Sequence, residues 1–105
     1  MRSKEQQFHQ AMIAANETAK RECKYNATYF LRLVSNHGAL EAAKRLLATD
    51  KPSEGFGTLY LHQRLDLSVE AYVIKPQFRE LFTPEAIAIA TKRLQGYGYK
   101  FDYEQ

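Results

Sequence analysis

Residues 37–73 read HGALEAAKRLLATDKPSEGFGTLYLHQRLDLSVEAYV, and the fold class turns on how this stretch is parsed. Its first part, Ala39 to Ala48, has a helical period. Ala39, Leu40, Ala42, Ala43, Leu46 and Leu47 fall on one half of a helix, and Glu41, Lys44 and Arg45 on the other. Glu41 can pair across a turn with Lys44 or Arg45. From Thr49 to Gly57 the chain changes character. Pro52 lacks the N–H that a helix interior uses, and Gly55 and Gly57 flank Phe56. This is a loop, with a turn that plants Phe56 in the core. A short helix is expected from Thr58 to Arg64, then another that Asp66 or Ser68 caps and that runs to about Lys75. The run Leu67–Ile74 carries enough β-branched residues for a strand. Helical patterns lie on both sides of it, and a lone strand has no ladder partner. Helix is therefore the better parse, and the chain becomes all-α.

Working outward toward the N-terminus, Asn26 caps a helix from Ala27 to about Asn36. Its broad apolar side carries Ala27, Tyr29, Phe30, Leu31, Leu33 and Val34, and Arg32 points away. Gly38 stands where a helix end favours a left-handed residue. Before this, Ser3 to Cys23 is rich in good helix formers. Its stripe is narrow: Phe8, Met12, Ala15 and Ala19, with Cys23 at the edge. Such a seam suits a partner helix. Residues 1–24 thus read either as a dimer or partner arm working through Phe8 and Met12, or as a helix packed loosely on its own domain.

Toward the C-terminus, Pro76 interrupts the pattern, and Gln77–Phe82 forms a turn or two. Thr83-Pro84-Glu85 is a helix start with a capping hydroxyl, a proline in the first turn and an acid near the positive helix end. The last helix runs from Pro84 to about Gln95, with Ala86, Ile87, Ala90 and Leu94 inward, and Gly96 and Gly98 stop it. The chain closes on alternating aromatics, Tyr97, Tyr99, Phe101 and Tyr103. The expected architecture is a single compact all-α bundle of five to six helices. It comprises an N-terminal helix (1–24), a compact domain (25–99) and a short aromatic tail (100–105).

Composition sets outer limits. A chain of 105 residues, 45% apolar and 26% charged, builds one domain with its own core. Fifteen basic against 12 acidic side chains give a net charge of +3, a modest preference for acidic partners. One cysteine, Cys23, makes no internal disulfide. No apolar run approaches the roughly 18 residues that span a membrane, and the first ten residues are too polar for a secretory signal. A cytoplasmic protein without membrane contact is the expectation.

Four stretches carry a resemblance. They are Asn36-His37-Gly38-Ala39-Leu40-Glu41-Ala42-Ala43, Pro52-Ser53-Glu54-Gly55-Phe56, Arg64-Leu65-Asp66-Leu67-Ser68-Val69-Glu70 and Leu81-Phe82-Thr83. Through them, Tyr25 to Tyr99 resembles a small bacterial helical domain family of unknown function. The resemblance implies a free-standing module or one appended to larger proteins, in the company of DNA-handling or defence proteins. It implies no activity.

Several constellations could carry chemistry. His9, Cys23, His37 and His62 lack the close spacings of a metal site, so no metal or cofactor is expected. Arg32-Leu-Val-Ser-Asn-His37 resembles the arginine–four residues–histidine motif of HEPN ribonucleases, metal-independent enzymes in which the pair works on a phosphate. Leu33 stands where that family is usually polar, and on a regular helix Arg32 and His37 lie about 140° apart. Surface charge for Arg32 and a capping or core position for His37 account for both residues without a reaction. The doublets Lys20-Arg21, Lys44-Arg45 and Lys92-Arg93 are candidate phosphate contacts for nucleic acid. Each also lies late in its helix, where cations favour the dipole. Arg93 projects inside the edge of the last helix's apolar stripe, a position for pairing with a buried acid or for snorkelling. Tyr99, Phe101 and Tyr103, with Tyr97, stack on unpaired bases, anchor a protein partner or complete the core. The sequence thus favours a non-enzymatic binding module for nucleic acid or a nucleic-acid-handling assembly. A protein-interaction or dimerisation module through the first helix and the tail is the alternative.

Overall fold

A computed structural model describes residues 3–25, 28–49 and 55–100. It contains α1 (Lys4–Cys23), α2 (Thr28–His37), α3 (Ala39–Leu47), α4 (Phe56–Leu61), α5 (Val69–Val73) and α6 (Pro84–Gly96). Two 3₁₀ turns, Leu65–Leu67 and Arg79–Leu81, flank α5. No strand occurs among the described residues, and the all-α expectation holds.

The first helix is the centre of the bundle. Its stripe of Phe8, Met12, Ala15, Ala19 and Cys23 is buried from end to end. Phe8 meets Phe78 and Phe82 edge-on, with ring centroids at 5.2 and 5.4 Å. Lys4 ties the same end down by donating to the Gln77 carbonyl at 2.9 Å and pairing with Glu80 at 3.1 Å. The domain's longest extent, 34 Å, is little more than the ~30 Å length of a helix this long. Of the two readings of this helix, the burial fits the one packed on its own domain, closely rather than loosely. Phe8 and Met12 are core residues and offer nothing to a partner while α1 stays docked. The stripe is narrow because alanines let α3 approach closely, not because a second helix is missing.

Helix ends follow local chemistry. Ser3 and Gln6 form a reciprocal capping box at the start of α1. Thr83 accepts from the Ala86 N–H at 3.1 Å, with Pro84 in the first turn, as the sequence predicts. Ser68, fully enclosed, caps α5 by accepting from the Ala71 N–H and donates to the Leu65 carbonyl, so its burial leaves no unsatisfied hydroxyl. The β-branched run is helical here, though only Val69–Val73 is α-helix and it is capped at Ile74, just short of the expected Lys75. α4 begins at Phe56 rather than Thr58, because Gly55 in the left-handed region (φ 80°) starts it earlier. That glycine is required twice over, since a Cβ there would stand 2.2 Å from the Tyr25 ring. The expected Asn26 cap lies outside the described residues.

Candidate functional site

The doublets do not share one environment. Lys20 and Arg21 are exposed on the last turn of α1, with Arg21 3.8 Å from Glu22. Lys44 and Arg45 are exposed on α3, where Arg45 pairs with Glu41 one turn back at 3.4 Å. Lys92 is exposed on α6, but its neighbour turns inward. The Arg93 side chain is 9% exposed and pairs at 3.1 Å with Glu70, which is 0% exposed. Its guanidinium also donates to the Leu46 and Thr49 carbonyls at 3.3 and 2.6 Å. Arg93 therefore closes the C-terminal end of α3 and locks α3, α5 and α6 together. As a phosphate contact it is corrected to an internal latch, the buried-acid position its place on the wheel allows.

Arg32 and His37 both face solvent on α2. His37 sits on the last helical turn rather than in the core. Cys23 is a buried core residue. Among the described residues no three His, Cys, Asp or Glu side chains gather to hold a metal ion. His9 has a structural task. Its Nδ1 accepts from the Ala39 N–H at 3.3 Å and caps α3, whose own cap residue, Gly38, has no side chain to do so.

The residues that do converge are tyrosines. The end of α6 is a complete Schellman motif. Gly98 in the left-handed region (φ 76°) donates to the Gln95 carbonyl, and Tyr99 donates back to Leu94. This reversal sets Tyr99 half-buried against the core. Tyr97 then packs edge-on against Phe56 and Tyr60, with centroids at 4.8 and 5.0 Å. Tyr60, Gln63, Leu65, Tyr97, Tyr99 and Lys100 line an open groove of about 340 Å³. Tyr60 and Tyr97 keep 46% and 40% of their surface exposed, so their rings face solvent rather than being absorbed by the core. Phe101 and Tyr103, expected to work with them, lie outside the described residues.

Charge around the groove is arranged in layers. Arg64 chelates Asp66 and also binds Glu22 of α1, and the Asp66 hydrogen bonds push its pKa above the ordinary arginine value. Burial, reinforced by the Asp66 carboxylate, holds the Tyr72 and Tyr99 phenols above the usual tyrosine range, so both stay neutral at physiological pH. Lys75 lies 4.2 Å over the Tyr72 ring. Among the described residues the groove's own lining carries one cation, Lys100, and no carboxylate. The periodicity of α4 gave no signal for this site. Tyr60 becomes a site residue only when bundle packing sets the end of α6, and with it Tyr97, against α4. Among the described residues no helix is long and apolar enough to cross a membrane. Compared with known proteins, the chain matches no family model, no curated protein and no solved structure.

Proposed function

We propose that this chain is a non-enzymatic binding module that holds single-stranded nucleic acid in the tyrosine groove. The observation that carries the reading is the pair of half-exposed rings, Tyr60 and Tyr97, beside Lys100 in a groove whose described lining holds no carboxylate. Every base has a π-face, so exposed aromatic rings take unpaired bases without reading sequence, and a cation nearby meets the backbone. Lys20, Arg21, Lys44, Arg45 and Lys92 remain on the surface as additional phosphate contacts.

The test is fluorescence anisotropy with labelled single- and double-stranded oligonucleotides across a salt series. Single strands are expected to bind better than duplex. Tyr60→Ala and Tyr97→Ala each weaken single-strand binding by about 1–3 kcal/mol and leave the salt slope unchanged. Lys100→Ala lowers that slope by about 0.7. Absence of binding to every probe at low salt sinks the reading.

A second reading, a protein-binding face, has its own support. Leu61, next to Tyr60, is 80% exposed, and an apolar side chain beside aromatic anchors is the pattern of an interaction hot spot. Leu61→Ser separates the two readings: it weakens a protein complex and leaves nucleic-acid affinity where it was.

A further inference from the structure

The geometry points to a second surface, independent of the tyrosine groove: the outer face of α6 as a self-complementary site for a second copy of this chain, packed antiparallel. α6 buries only Ala90 and Leu94 fully. Its solvent side presents Glu85, Ala88, Ile89 and Lys92, all exposed. Offsets of three, four and seven residues put these four on one stripe. The middle of the stripe is apolar, with Ile89 at 38% exposure beside the small Ala88. The ends carry opposite charges, and neither Glu85 nor Lys92 makes an ion pair with any described residue. Seven residues apart, about 10 Å along the axis, they are too distant to pair with each other.

This pattern selects its occupant. Glu85 and Lys92 stand equally far from the midpoint between Ala88 and Ile89. A twofold axis through that midpoint therefore lays Glu85 of one copy against Lys92 of the other, twice. A twofold contact uses the same patch on both copies, and this stripe pairs with its own reverse. The same axis brings the two Ile89 side chains together at the mouth of an apolar groove of about 300 Å³ between α3 and α6. That groove is lined by Leu47, Ala48, Phe82 and Ala86. Ala88 at the centre lets the two backbones approach. A parallel arrangement would set like charges side by side, and a uniformly acidic or basic partner would satisfy only one end. A single helix pair makes a small interface of the transient class, so association will appear only at high protein concentration.

Sedimentation velocity of the full chain, from micromolar to about 1 mM at low salt, tests the proposal. The expected result is a monomer–dimer equilibrium. Glu85→Lys alone and Lys92→Glu alone each weaken it by at least about tenfold, because each sets like charges together twice. An equimolar mixture of these two single variants restores association, since both cross-pairs become opposite in sign. Ile89→Asp abolishes it. All three positions are exposed, so the helical circular dichroism spectrum is expected to be unchanged. A chain that stays monomeric throughout overturns the proposal. So does a dimer indifferent to the charge reversals, or a mixture that fails to recover.

Discussion

Arg93 and Arg64 do the same job in two parts of the molecule with opposite consequences. Each joins separate segments through a carboxylate. Arg93, 9% exposed, ties Glu70 to the carbonyls that end α3. Arg64, 31% exposed, ties Asp66 and Glu22 together at the rim of the aromatic face. Water screens the second set and is excluded from the first. Removing one partner of an enclosed pair strands a charge, whereas exposed partners are re-solvated. The difference teaches where this protein is fixed and where it is open. The α3–α5–α6 junction holds the bundle, and the face formed by α4 and the end of α6 keeps its rings and charges exposed to solvent.

The largest expected effect tests the closed side. Arg93→Ala should cost about 3–5 kcal/mol in urea unfolding, because Glu70 stays buried without its partner. Replacing both, Arg93→Met with Glu70→Leu, should recover most of that loss. If the single change costs less than about 1 kcal/mol, the contrast with Arg64 collapses. Next comes the long-range cap. His9→Ala should destabilise by about 1 kcal/mol by orphaning the Ala39 N–H, and His9→Asn should recover part of it. On the open side, Arg64→Ala should cost at most about 1 kcal/mol, and less as salt rises.

The finest test is alkaline. Tyr72 and Tyr99 have raised folded pKa values, so their stabilisation is fully present below about pH 10, where unfolded tyrosine still holds its proton. It is lost as pH climbs through the folded values. Phenolate absorbance should show Tyr72 and Tyr99 ionising later in the native protein than in denaturant. Tyr72→Phe should remove one of the two late transitions.

The amino-acid sequence by itself determined what depends on near neighbours. The helical periods, the Thr83-Pro84 start, the glycine stops at Gly38 and Gly98 and the all-α class were legible because capping and amphipathic spacing act within a few residues. Even Arg93's inward position was readable from its place on the wheel. Tertiary structure decided the rest. Whether the Phe8–Met12 stripe meets its own domain or another chain depends on Phe78 and Phe82, some seventy residues away, and no period in α1 records them. His9 caps a helix thirty residues on, Glu70 is the acid that Arg93 finds, and Tyr60 meets Tyr97 only because the end of α6 packs against α4. These pairings arise from packing between elements distant in the chain. Local sequence sets which face is apolar, and only the assembled bundle sets what that face touches.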